Sequence, residues 1–346
     1  MTTDSRAAAP VWTDDDRRLA FERWLASLGE HGVDPASVRP ASADASFRRY
    51  FRIDTAQGTR IMMDAPPAHE NCTPFVQVAG LLRGAGLNAP EVLDWNQAEG
   101  FMLLSDLGDT TYLSRLDAKT APALYREASE ALVKLQGIAA EDAVPAYDRE
   151  LLMRELQLFP DWYVGRHAGI TLDDTQRQQL AQTFELILAN NLAQPRVLVH
   201  RDYHSRNLMV TDAGPGILDF QDAVWGPVTY DLVSLLRDAY VDWEEEEQID
   251  WAIRHWERAR KAGLPVDADF GQFWRDFEWM GLQRQLKVLG IFCRLNYRDG
   301  KDGYLKELPR VWRYAHRVAM RYNGLGALAQ LLEQAAGEAR DYGYSF

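Results

Sequence analysis

Between residues 38 and 104 the apolar residues alternate with a period of two, and from about residue 110 they recur every three or four. A strand sends successive side chains to opposite faces, whereas a helix returns to one face each turn. A single change of period therefore predicts a small sheet followed by a largely helical remainder. In FRRYFRID, Phe47, Phe51 and Ile53 share one strand face. The turn-like TAQG leads into RIMMDA, and EVLDW and FMLLS read as two more strands. Ahead of them TDDDRRLAFERWLASLG predicts a helix, with Thr13 as N-cap and Asp14, Asp15 and Asp16 at its positive end. Phe21, Trp24, Leu25 and Leu28 form its apolar stripe, and Gly29 closes it. The Pro-bearing segment 35–40 precedes FRRYFRID. Thr73 and Pro74 open a short helix carrying Phe75, Val78, Ala79 and Leu82 and ending at Gly84 and Gly86. Further helices are expected over 119–137, 149–166, 174–192, 230–240, 246–262 and 270–297. The expected division is a sheet-bearing lobe over 1–105 and a helical lobe over 106–346.

One stretch interrupts the helical pattern. In VLVHRDYHSRNLMV an apolar run delivers His200, Arg201 and Asp202, Asn207 follows five residues after the aspartate, and a second apolar run leaves. Shortly afterwards PGILDFQDA brings Asp219 to the end of another strand-like run. Asp202, Asn207 and Asp219 make an oxygen-rich set with separable roles. Magnesium takes hard oxygen ligands and keeps several waters, so a carboxamide and a carboxylate suffice beside nucleotide phosphates. Phosphoryl transfer also needs a carboxylate that orients the attacking hydroxyl and accepts its proton. The set predicts an ATP- and Mg²⁺-dependent transfer, with Asp202 as base and Asn207 and Asp219 on the metal.

Charge and cysteine content narrow the partners. A net charge of −13 disfavours broad contact with nucleic acid or an anionic membrane. It leaves room for a small ligand in a locally basic pocket. Two cysteines, Cys72 and Cys293, form neither a disulfide framework nor a zinc spacing. MTTDSRAAAP has no basic-then-apolar leader pattern, and no apolar run approaches the roughly 18 residues a membrane helix needs. A soluble cytoplasmic protein without an obligate protein partner is expected.

HRDYHSRN followed by LDFQDAVWGPVTYDLVSLLRDAY resembles the aminoglycoside-phosphotransferase and choline-kinase branch of the protein-kinase-like fold. SDASFRRYFR, MDAPPAHENCTPF, RELQLFPDWY, PRVLVHRDY, LDFQDAVWGPVTYD and QRQLKVLGIFCRLNYRDGK occur in this order, from about residue 13 to about 325 in all. Together they resemble the bacterial anomeric kinases that phosphorylate N-acetylmuramate and N-acetylglucosamine at C1 in peptidoglycan recycling. The resemblance implies an α+β, two-lobed fold with a sheet-plus-helix N-lobe and a mainly helical C-lobe. It implies that Asp231 caps the YDL helix and buttresses the catalytic loop. It also implies that FMLLSDLG is the hinge, with backbone groups at Ser105, Asp106 and Leu107 meeting adenine. Two alternatives stay open: a kinase of the same fold acting on an aminoglycoside, choline or homoserine, and a nucleotide-binding regulatory module without catalysis.

The chain departs from kinases at large in its phosphate grip. A kinase pairs a strand lysine with a glutamate on the next helix. Here the first lysine is Lys119, and the helix over 74–85 has no acidic residue. Both members of the pair are expected to be missing, and an arginine to take over, first Arg48, with Arg49, Arg52 and Arg60 as alternatives. SDASF replaces a glycine-rich loop, so Ser42, Ser46 and backbone N–H groups meet the phosphates, while Phe47 either covers adenine or packs. On the acceptor side, Arg284, Lys287 and Arg294 share one face of a predicted helix. That stripe is either a solvated charged face or partly turned to the acceptor. Glu155, Trp162 and Tyr163 suit a sugar's hydroxyls and apolar face, or else belong to the core. His204 and Arg206 either approach the γ-phosphate or hold the loop's shape, and Gln221 and Trp225 are weaker pocket candidates.

Overall fold

The computed structural model describes residues 12, 14–43 and 47–343, with the backbone alone at 42, 43 and 338–343. In chain order, α1 (Asp15–Ser27) precedes β1 (Val33–Ala43), β2 (Arg49–Thr55), β3 (Gly58–Asp64), α2 (Thr73–Gly84), β4 (Val92–Asn96) and β5 (Phe101–Ser105). Next come α3 (Tyr112–Arg115), α4 (Ala121–Gln136), α5 (Arg149–Leu156), a π-helix (Phe159–His167) and α6 (Asp174–Ala193). Four short strands follow: β6 (Arg196–Val199), β7 (Leu208–Met209), β8 (Gly216–Ile217) and β9 (Val224–Pro227). The chain ends in α7 (Tyr230–Leu236), α8 (Glu245–Lys261), α9 (Phe270–Tyr297), α10 (Leu308–Arg321) and α11 (Gly326–Gly343). These elements form two compact units. One holds the described residues up to Thr110 together with Met209–Asp222, and the other holds Thr111–Leu208 together with the residues from Ala223 on.

The first unit is an antiparallel sheet in the order β1-β2-β3-β5-β4. Phe51 pairs with Met62, and Met62 with Leu103. Phe21 and Trp24 of α1, with Leu28 just after it, pack on Phe51, Ile53, Met62, Phe101 and Leu103. The central strands are apolar on successive residues, and Met62, Met63 and Phe101–Leu104 are all buried. Such a run has both faces of the sheet covered. The helix end is capped by Asp14, whose carboxylate accepts from the N–H groups of Asp16 (2.9 Å) and Arg17 (3.2 Å). Thr13, the expected cap, lies outside the described residues. The Pro-bearing segment 35–40 is part of β1. Pro35 and Pro40 are tolerated because β1 is the sheet's edge, and its pairing with β2 shifts register at two places.

In the second unit α9 is buried around most of its circumference and packs on the π-helix, α10, α7 and α6. The helix expected over 149–166 breaks in two, because Pro160 has no N–H to donate and crowds the preceding carbonyl. The wider turn that results is visible in the Ala168 N–H donating to the Tyr163 carbonyl, five residues back (2.9 Å). At Gly290, α9 approaches this segment so closely that a Cβ would lie 2.3 Å from the Leu158 carbonyl oxygen. Helices α10 and α11 extend beyond the predicted set. No helix among the described residues is long and apolar enough to cross a membrane.

Candidate active site

The loop carrying Asp202 and Asn207, the residues predicted to be catalytic and metal-binding, belongs to the second unit. Strand β6 pairs antiparallel with β9, Val197 to Gly226 and Val199 to Val224, and releases the chain at His200. Asp231, fully buried in the first turn of α7, accepts the N–H of His200 (2.7 Å) and of Arg201 (3.0 Å). Burial pushes its carboxyl up to about 7, against the pull of those two amides. The buttress expected of Asp231 is therefore present, but the capping is not: Thr229 is the N-cap, and both Asp231 oxygens serve the loop. Arg201 is held at φ 76°, a left-handed conformation that a non-glycine residue keeps only when its surroundings impose it.

Beyond Arg201 the turn closes on itself. The Asp202 N–H donates to His200 Nδ1 (3.2 Å), and the Asp202 carbonyl accepts from the His204 N–H (3.0 Å) and Asn207 Nδ2 (3.0 Å). Asp238 takes the Ser205 N–H (2.9 Å), and Tyr203 donates to the Ala128 carbonyl (2.8 Å). Asn207 thus spends its nitrogen on the loop, and the oxygen of such an amide is the end that suits a hard cation.

A buried charge web supports this turn from below. Glu155 takes Arg201 Nη2 at 2.5 Å, Lys287 Nζ at 2.9 Å and Gln283 Nε2 at 3.0 Å, and also accepts from the Tyr147 hydroxyl. Lys287 also reaches the Tyr230 hydroxyl at 3.1 Å. Burial alone would raise the Glu155 carboxyl, but Lys287 and Arg201 outweigh it and hold it at about 2. Glu155, expected at a sugar, is instead occupied on both oxygens by protein donors, and Lys287 is its main counter-charge. Burial likewise works against ionisation of Asp202, yet Lys287 first, and then His204, Arg284 and Arg201, keep this carboxyl below the usual range. Asp202 is a carboxylate at neutral pH.

The helical stripe is not a solvated face. Arg284 is 4% and Lys287 7% exposed, and Arg294 is half-buried. Burial lowers the pKa of His204, opposed first by Asp238, and its Nδ1 has no hydrogen-bond partner among the described residues. Its ring meets Tyr240 edge-on. Arg206 is exposed and lies over the Tyr240 ring, 4.8 Å from its centre. Trp162 is half-buried on the π-helix, while Tyr163 is buried and stacked between Phe159 and His167. Trp225 lies in β9, where its N–H donates to the Pro145 carbonyl.

The first unit carries the residues expected at the nucleotide. Arg48 Nε lies 3.4 Å from Glu70 Oε2, with both side chains largely buried. The strand lysine and the helix glutamate are both missing, as expected; the carboxylate beside Arg48 comes from the turn before α2. The alternatives to Arg48 have other partners. Arg49 binds the buried Asp64 together with Arg17, Arg52 Nε lies 2.6 Å from Asp106, and Arg60 reaches the Thr59 carbonyl. Asp106 also accepts from the Thr59 hydroxyl (2.6 Å) and the Gly108 N–H (2.9 Å), which fixes the segment after β5. Ser105 gives its N–H to the Glu91 carbonyl, and Leu107 packs where a Cβ on Gly216 would sit. Phe47 is 65% exposed and stacks on His69, so it does not pack into the core. Ser42 pairs with Tyr50 through its backbone, and Ser46 lies outside the described residues. Asp219 follows β8 at φ 63° and accepts from Gln221 Nε2 (2.8 Å). Among the described residues, Arg201 and Asp219 are the only non-glycine positions with positive φ, and each belongs to a predicted catalytic motif.

Glu70, Arg201 and Asp238 are the participants that sequence reasoning missed. Arg201 stands inside the motif, but the Glu155 that explains it is 46 residues away.

The sequence matches the phosphotransferase enzyme family over residues 37–270. It is 47% identical to the N-acetylmuramate/N-acetylglucosamine kinase of Neisseria meningitidis, a match covering 95% of this chain and 99% of that one. To the enzyme of the same name from Pseudomonas aeruginosa it is 45% identical, over 92% of this chain and 97% of that one. Among solved structures, the GDP complex of aminoglycoside 2′-phosphotransferase-IIIa shares the fold with a TM-score of 0.60 at 16% identity, over 89% of this chain and all of that one. The chain belongs to the phosphotransferase enzyme family.

Proposed function

We propose that this protein transfers the γ-phosphoryl group of ATP to the anomeric hydroxyl of N-acetylmuramate and N-acetylglucosamine in peptidoglycan recycling. The observation that carries the reading is Asp202, a carboxylate kept ionised on a strained, multiply pinned loop by buried cations. Relatives at 44–47% identity, each named for these two sugars, supply the acceptor class. C1 as the site is what the resemblance to the anomeric kinases implies.

In this reading Asp202 orients the acceptor hydroxyl and receives its proton. A hemiacetal hydroxyl is more acidic than an ordinary alcohol, so an ionised aspartate of low basicity suffices and positioning carries most of the effect. Asp231 and Glu155 keep the loop in place through its backbone and through Arg201. Arg48, braced by Glu70, takes the phosphate role of the absent strand lysine. Asn207 and Asp219 are assigned to Mg²⁺, which neutralises phosphate charge when bound. Both offer a hard oxygen, and Asn207 has its nitrogen already committed. Ser105, Asp106 and Leu107 are assigned to adenine, and the cytoplasm, where ATP is supplied, is the assigned compartment.

ATP consumption is measured across N-acetylmuramate, N-acetylglucosamine, aminoglycosides, choline and homoserine, with phosphorus NMR of the product. The expected result is an anomeric sugar phosphate, with turnover of Asp202→Asn reduced about 10²- to 10⁴-fold and ATP affinity nearly unchanged. Near-normal turnover of that variant sinks the base assignment. ATP binding with no product from any acceptor favours a non-catalytic module.

A further inference from the structure

Helix α9 buries four charged or amide side chains besides Arg284, and each has a partner. Glu278 pairs with Arg237 (3.1 Å), Gln283 and Lys287 reach Glu155, and Gln285 donates to the Arg237 carbonyl (3.3 Å). Arg284 is the exception. It is 4% exposed, its Nε and Nη1 are sealed from solvent, and neither has a hydrogen-bond partner among the described residues. A buried guanidinium whose donors are left unpaired is costly, and a site keeps one where a ligand supplies the missing acceptors.

The helix geometry shows what Arg284 faces. Lys287, one turn on along the same face, grips Glu155, which grips Arg201 beside Asp202. Gln283, the adjacent residue, reaches the same Glu155. The charge of Arg284 is felt at Asp202, Asp231 and His204, all on or against the catalytic loop. A group beside Asp202 stands where an acceptor must come, because its hydroxyl has to meet that carboxylate. The two acceptors of the proposed function differ in one respect that matters to a guanidinium: N-acetylmuramate carries a lactyl carboxylate and N-acetylglucosamine does not.

We infer that Arg284 is a specificity-determining residue that receives the carboxylate of the acid sugar, and this rests on the function proposed above. A planar guanidinium matches a carboxylate better than a point-charged ammonium does. The neutral sugar still fits, with water in place of the carboxylate, so one buried cation grades two substrates without excluding either.

The test is a cycle between protein and ligand. Relative kcat/KM is measured for N-acetylmuramate, its methyl ester and N-acetylglucosamine, with wild type, Arg284→Gln and Arg284→Lys. Wild type should prefer the acid over the ester by roughly ten- to hundredfold, the range of a charge-assisted hydrogen bond. Arg284→Gln should abolish that preference, and Arg284→Lys should restore part of it. A wild-type acid-to-ester ratio near one overturns the assignment and needs no variant to fold. Equal loss on all three substrates in Arg284→Gln, with the acid preference intact, also overturns it and points to the phosphoryl group. Wild type that turns over none of the three overturns the proposed function together with this inference.

Discussion

Replacing Glu155 by glutamine keeps the shape of the side chain but leaves Arg201 and Lys287 buried with their principal counter-charge gone. The size of the effect follows from the carboxyl itself. Held at about 2 against an ordinary 4.5, the carboxylate is favoured in the folded protein by about 3 kcal/mol, at roughly 1.36 kcal/mol per tenfold in proton affinity. Removing one partner of a buried pair independently suggests about 3–5 kcal/mol. For a unit of this size that is a fall in Tm of roughly 6–12 °C. The pH dependence has a definite sign. Because the folded value is depressed, the contribution is fully present above pH 4.5 and fades as pH falls toward 2. Thermal unfolding of wild type and Glu155→Gln from pH 7.5 down to 3 should therefore show two curves that converge as the wild type loses its advantage. Adding Lys287→Met to the variant should recover part of the loss, since one uncompensated cation goes with it. A Tm within about 2 °C of wild type at pH 7.5, or parallel curves down to pH 3, would refute the charge web as the support of the loop.

Two more outcomes are expected. Glu70→Gln should raise the KM for ATP about tenfold or more and change kcat less, because Arg48 loses its brace rather than its charge; steady-state kinetics with ATP varied checks this, and an unchanged KM counts against the pair. Gly290→Ala should destabilise by about 1–3 kcal/mol, read by denaturant unfolding, since its Cβ meets the Leu158 carbonyl at 2.3 Å. A variant as stable as wild type would show that α9 and the π-helix can part without cost.

Legibility differed with the kind of residue. The interval from Asp202 to Asn207 was readable because both lie on one turn, and five residues of chain between two strands leave few arrangements. The buried faces of α1 and α2 were readable from spacing alone, as Phe21, Trp24, Phe75 and Val78 confirm. The edge strand β1 was not, because Pro35 and Pro40 argue against a strand until its position at the sheet's rim is known. The break after α5 was visible as Pro160, though not the π-helix that follows. Glu155 misled for another reason: a glutamate on an amphipathic helix looks the same in sequence whether it faces a ligand or a buried arginine.

By itself, then, the amino-acid order determined the alternation of a small sheet with a larger helical part, and the placing of Asp202 and Asn207 on one loop. Periodicity and short loops act over a few residues, and those are written directly in the chain. Tertiary packing alone decided the pairings of Arg201 with Glu155, His200 with Asp231 and Arg48 with Glu70, and that the buried donors of Arg284 find no partner among the described residues. A charge chooses its partner by distance and by how much water is excluded. Both are set by which helices and strands come together, which no local stretch of sequence specifies.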